Sequence, residues 1–190
     1  SSTRKSSRPL PVSFFVLCWL LLAAVVLSPL SSPGWPAEEE VDVGIKLDFI
    51  KKYRGDAILV GLACDFPPII LLVQAALETG WGRHMVGNNL FGIKDVPWIP
   101  GSVEATTTEY DGEWKTEIHN FEKFDSTLQS MLAYIVKIRT EQRYHRAWLL
   151  RHEPLLYFGA LQEAGYATDP DYAKKLERIY QTFPDWEEKE

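Results

Sequence analysis

Between Ile69 and Leu77 the chain is apolar at every position except Gln74. A helix that is apolar on all sides has no solvent face, so it must run through the middle of a domain with other elements wrapped around it. Asp65-Phe66-Pro67-Pro68 breaks the helix before it and starts this one, because proline is favoured in a first helical turn. Gly80 and Gly82 end it. Glu78 follows directly on the apolar run, which sets a carboxylate at the C-terminal end of the most buried helix.

The rest of the chain has enough apolar material to cover such a helix. Of 190 residues, 46% are hydrophobic and 24% charged, which excludes a disordered or collagen-like chain. The length suits one domain. The net charge of −6 argues against a broad basic surface for nucleic acid. Two cysteines, Cys18 and Cys64, do not make a disulfide scaffold.

The N-terminal segment reads differently from the remainder. Arg4, Lys5 and Arg8 precede an apolar run from Val12 to Leu27. A basic start followed by an apolar core is the pattern of a secretory signal, and a slightly longer run would serve as a membrane anchor. Residues 1–28 are therefore expected to be a signal peptide or N-terminal membrane anchor, giving export. Residues 29–42 form a Pro/Ser-rich, then acidic, linker. Residues 43–186 form the compact domain, and residues 187–190 an acidic tail.

Within that domain, Leu47 to Ala63 reads as an amphipathic helix with Leu47, Ile50, Ala57, Leu59 and Leu62 among its apolar positions. Asp125 or Ser126 caps a helix that reaches Thr140. Another spans about Glu153 to Ala164. A last one follows Asp169-Pro170, with Asp169 as its cap, and reaches about Phe183. Asp111-Gly112 between β-prone runs predicts a hairpin. A two-residue turn would pair Tyr110 with Glu113 and Glu109 with Trp114. Glu109 would then share an inner face with Trp114, Thr116 and Ile118, and Glu113 and Glu117 would face solvent. Several helices with one hairpin define an α+β domain.

Two carboxylates stand in unusual places, Glu78 and Glu109. Glycoside hydrolysis commonly uses two carboxyl groups, one of them an acid whose pKa is raised by apolar surroundings. Glu78, after Leu77 and near Trp81, fits that acid. Its plainer reading is a helix-end carboxylate bonded to backbone or paired with Arg83. Trp81, Trp98 and Trp114 are of a type that stacks on sugars, although single aromatics are more often core. The four histidines lack metal-site spacing, and no phosphate loop or nucleophile elbow occurs, so neither a metal nor an organic cofactor is expected.

The string Gln74-Ala75-Ala76-Leu77-Glu78-Thr79-Gly80-Trp81-Gly82 resembles the catalytic-helix motif of the glucosaminidase family, glycoside hydrolase family 73. Asn88-Asn89-Leu90-Phe91-Gly92-Ile93-Lys94 is similar to the family's next block, and Thr106-Thr107-Thr108-Glu109-Tyr110 to its β-lobe motif. Phe121 to Ser126 and Gly165-Tyr166-Ala167-Thr168-Asp169-Pro170 with Tyr172 complete the order. The resemblance spans about Leu47 to Phe183.

That resemblance implies a lysozyme-like fold, with a cleft between a helical lobe and a small β-lobe. It implies an endo-β-N-acetylglucosaminidase that cleaves the β-1,4 bond after N-acetylglucosamine in peptidoglycan, without a cofactor. Glu78 corresponds to the general acid and Glu109 to the second acid. Tyr166 corresponds to a cleft tyrosine that positions the acetamido group. Trp81, Asn89, Phe91 and Trp114 complete the expected substrate-binding set. The rival readings are a lytic transglycosylase or muramidase of similar fold, and a non-catalytic peptidoglycan-binding scaffold. The expected partner is the glycan strand, with membrane anchoring through the leader.

Overall fold

The structure, a computed structural model, describes residues 41–94 and 102–184. The leader, most of the linker, Trp98 and the acidic tail lie outside the described residues. Among the described residues no helix is long and apolar enough to cross a membrane.

Helix α1 spans Val43–Cys64 and is capped by Asp42, whose carboxylate accepts from Gly44 N at 2.8 Å. Helix α2, Pro68–Thr79, starts on proline and has Ile70 through Thr79 buried without a break. Helix α3, Thr127–Thr140, is capped by Ser126, whose side chain accepts from Gln129 N. A 3-10 turn, Gln142–Tyr144, leads into the short α4, His145–Leu149. Helices α5, Pro154–Glu163, and α6, Tyr172–Gln181, close the helical lobe. Helix α2 packs against α1 and α6, so it is the central helix that its composition requires. Ile70, Leu71, Leu72, Val73, Ala75 and Ala76 are all fully buried.

Two sequence expectations about the helices need correction. On α1 the buried face is Phe49, Ile50, Tyr53, Ala57, Val60 and Gly61, while Leu47, Leu59 and Leu62 are exposed. Apolar residues occur on more than one side of this helix, and the large aromatics win the interior because they bury more area. At α6 the residue preceding the helix is Asp171, not Asp169. Asp169 is instead buried in an ion pair with Lys175, and its other oxygen accepts from Asp171 N at 2.8 Å.

The β-lobe is one antiparallel hairpin, β1 Ser102–Tyr110 and β2 Trp114–Glu122. Its register differs from the expected one. Tyr110 pairs with Trp114 and Glu109 with Lys115, so Asp111, Gly112 and Glu113 form the loop. Gly112 takes a φ of +76°, and Asp111 N bonds to Glu113 O at 3.0 Å. One extra loop residue slides β2 by one position, and a one-residue slip exchanges the two faces of a strand. Glu109 therefore shares its face with Lys115, Glu117 and His119 rather than with Trp114, Thr116 and Ile118. Ile118 is accordingly 71% exposed.

Candidate active site

Glu78 lies in the last turn of α2, and its side chain is buried with 5% exposure. The chain turns away sharply after it. Gly80, Trp81 and Gly82 all have positive φ, and Gly80 N bonds back to α2 carbonyls. Gly80 has the positive φ that favours glycine at a helix end, and a Cβ there would come 2.8 Å from His84 Cδ2, so the imidazole would have to move. Thr79 pins the same turn. Its hydroxyl donates to Ala75 O at 2.6 Å and accepts from Gly82 N at 2.8 Å.

Burial pushes the Glu78 carboxyl up to about 8, partly opposed by a hydrogen bond from Tyr172 that favours the charged form. The Tyr172 hydroxyl donates to Glu78 Oε1 at 2.7 Å. Arg83, the partner considered from sequence, turns its Nε to Gly80 O at 3.0 Å. The site thus holds a carboxyl that is protonated at neutral pH, one oxygen of which is engaged by a tyrosine. That is the chemical profile of a general acid.

Glu109 is the second carboxylate. Its Oε1 meets Lys94 Nζ at 3.0 Å and His119 Nε2 at 3.0 Å. His119 also meets Glu117 Oε2 at 3.1 Å. The ligand atoms of Glu109, Glu117 and His119 fall within 4.8 Å of one another, with the Lys94 ammonium already set against Glu109. Tyr110 N, next to Glu109, donates to Thr168 Oγ1 at 3.2 Å, which ties the end of β1 to the loop before α6.

The other expected site residues fall into several settings. Tyr166 is buried, donates to Phe91 O at 3.0 Å, and stacks on Tyr172 with ring centres 5.7 Å apart. It therefore stands one ring from the residue that touches Glu78. Trp81 is buried between Phe49 and Phe183, with ring centres at 5.6 and 5.3 Å. This packing holds a non-glycine residue at a φ of +61°. Phe91 stacks on Tyr134 at 4.3 Å inside the core. Asn89 donates to Ile93 O at 2.8 Å and Glu122 O at 3.1 Å, and its Oδ1 accepts from Phe91 N and Ile93 N. It builds the loop that delivers Lys94. The cross-strand partner of Glu109 is Lys115, not Trp114.

Four residues of the site were not singled out from the sequence: Gln74, Lys94, His119 and Tyr172. Gln74 carried a signal, as the one polar residue inside an otherwise apolar helix. Lys94 and Tyr172 lay inside the recognised motifs without a role.

Comparison with known proteins gives the same picture. Residues 55–184 match the family described as "Glucosaminidase: Mannosyl-glycoprotein endo-beta-N-acetylglucosaminidase". The chain is 41% identical over 118 residues to "Peptidoglycan hydrolase FlgJ" of Pseudomonas aeruginosa, which covers 57% of this chain and 30% of that protein. It is 31% identical over 188 residues to "Exo-glucosaminidase LytG" of Bacillus subtilis, covering 93% of this chain and 65% of that protein. The crystal structure of a peptidoglycan hydrolase mutant from Sphingomonas sp. A1 superimposes with a TM-score of 0.64 at 34% identity, over 70% of this chain and 91% of that one. The chain thus spans less than two thirds of the length of these two sequence relatives, while its fold is that of the lysozyme-like peptidoglycan hydrolases. The matched residues include Glu78, Glu109 and Tyr166, and the chain belongs to the glucosaminidase family of glycoside hydrolases.

Proposed function

We propose that this protein cleaves peptidoglycan glycan strands as an endo-β-N-acetylglucosaminidase, breaking the β-1,4 bond after N-acetylglucosamine. The observation that carries this reading is Glu78: a buried carboxyl, held protonated at neutral pH, at the end of the central helix. Glu78 protonates the departing glycosidic oxygen. Glu109 is the second carboxylate of the pair, supplied by the hairpin. Tyr166 positions the sugar's acetamido group. The names of the FlgJ and LytG relatives support a wall-glycan substrate. The basic and apolar leader supports export to the envelope, either secreted or anchored to the outer face of the cytoplasmic membrane.

A second reading is exo-acting cleavage. The B. subtilis relative carries an exo-acting name.

Mass spectrometry of muropeptides after digestion of purified peptidoglycan tests both readings. A new reducing N-acetylglucosamine end on fragments of mixed length is the expected product. Release of terminal units alone supports the exo mode. A reducing N-acetylmuramic acid or an anhydro end would contradict the assignment in favour of a muramidase or a transglycosylase. Absence of any product, with the intact protein still sedimenting with the wall, would indicate a scaffold.

A further inference from the structure

A line of buried hydrogen bonds runs from the core to the acid. Gln74 stands one helical turn before Glu78, on the same side of α2. Gln74, Tyr134, Tyr157 and Tyr172 are all fully buried. The Tyr134 hydroxyl donates to Gln74 Oε1 and also meets the Tyr157 hydroxyl. Gln74 Nε2 donates to the Tyr172 oxygen at 3.0 Å, and the Tyr172 hydroxyl donates to Glu78 Oε1 at 2.7 Å.

The direction of this line follows from the orientation of the Gln74 amide, whose Oε1 meets Tyr134 and whose Nε2 meets Tyr172. An amide offers hydrogens only from its nitrogen, and a tyrosine hydroxyl has a single proton. With Gln74 Oε1 already accepting from Tyr134, its nitrogen is the atom that faces Tyr172. Tyr172 then receives a hydrogen from Gln74, and its own proton is directed to Glu78. Glu78 Oε1 is consequently an acceptor whether or not the carboxyl is ionised, and the acidic proton resides on Oε2.

We propose that Gln74 is a positioning residue which, through Tyr172, orients the acid so that Glu78 Oε2 is the proton-donating atom. This rests on the assignment of Glu78 as general acid. It adds that the one polar residue inside the apolar helix is there to direct the tyrosine proton. The groups that face Glu78 are Tyr172 from α6 and, behind it, Tyr166 from the preceding loop. Both tyrosines are held well above their ordinary pKa by burial, reinforced by the nearby Glu78 carboxylate, so neither titrates in the working range. A shift of the alkaline limb on changing Gln74 or Tyr172 therefore reports Glu78 rather than a tyrosine.

The test is the pH profile of kcat for Tyr172→Phe, Gln74→Met and the double variant on one peptidoglycan preparation. Tyr172→Phe removes a donor that favours the carboxylate, so the alkaline limb moves up by about one pH unit. Gln74→Met lowers kcat more than it changes KM and moves the limb in the same direction by less. The double variant has the limb of Tyr172→Phe alone, because Gln74 acts only through the tyrosine. An unmoved limb in Tyr172→Phe, or a further shift in the double variant, overturns the proposal. A purely structural role predicts lower melting temperatures with the limb in place. Carboxyl-carbon NMR titration of Glu78 in the wild type and Tyr172→Phe gives the same comparison without turnover. Failure of the underlying assignment looks different: the wild-type limb would then survive in Glu78→Gln.

Discussion

Lys94 Nζ meets Glu109 Oε1 at 3.0 Å, with only 12% of either side chain exposed. The pair joins the loop built by Asn89 to the first strand of the hairpin. His119 adds a second contact to the same oxygen from the opposite strand. The second carboxylate is thus held between the two lobes by charge as well as by the backbone register.

Lys94→Met is expected to misplace Glu109 and lower turnover by roughly ten- to a hundredfold. Glu109→Gln lowers it strongly as well, though less than Glu78→Gln. Because Lys94 acts through Glu109, the double variant is no worse than Glu109→Gln alone. Glu113, in the exposed loop, stays near wild type on conversion to Gln. Glu117, which bonds to His119, shows a loss smaller than that of Lys94→Met. Steady-state turnover of the six variants on peptidoglycan checks these statements. Losses for Lys94 and Glu109 that multiply would contradict the coupling.

Glu78 also sets a pH dependence of stability. Its carboxyl has an ordinary pKa of 4.5 and is raised to about 8 in the folded protein. Between those values the folded state holds a proton that the unfolded state has released, so stability falls as pH rises through this window. Glu78→Gln removes that dependence. The variant should be more stable than wild type by about 1–3 kcal/mol at neutral pH, with the gain disappearing toward pH 4.5. Thermal unfolding at both pH values measures it, and an equal difference at the two would contradict the burial account.

The Lys175–Asp169 pair is another buried charge arrangement, at 6% and 2% side-chain exposure. It fixes the loop that carries Tyr166 and Thr168 to α6. Lys175→Met leaves a buried carboxylate without its partner and should cost about 3–5 kcal/mol. Chemical denaturation checks this, and a loss below about 1 kcal/mol would show that the pair is not needed to hold the loop.

The central helix and its terminal carboxylate were legible in the sequence because burial of α2 is a local property of Ile69 to Leu77. The family motifs also singled out Glu109 and Tyr166 as candidates. The hairpin was legible as an element but not in register. Asp-Gly is compatible with turns of two or three residues, and only the pairing of Tyr110 with Trp114 shows that Glu113 joins the loop. The inner face of α1 was misjudged because periodicity does not choose between Leu59 and Val60 when both are apolar. Tyr172 was out of reach for a different reason: it meets Glu78 across 94 residues of sequence. No local pattern carries that contact. The turn and short helix at residues 142–149 are too brief to leave a periodic signal.

The most direct test of the assignment is turnover by Glu78→Gln on purified peptidoglycan, with its fold verified by unfolding curves. The amide keeps the shape, and its Oε1 still accepts from Tyr172, but it has no proton to transfer. The wild-type rate should fall above about pH 8, where Glu78 ionises, and the variant should show no activity across the range. A folded Glu78→Gln protein with more than about a tenth of wild-type turnover would contradict the assignment of Glu78 as the acid.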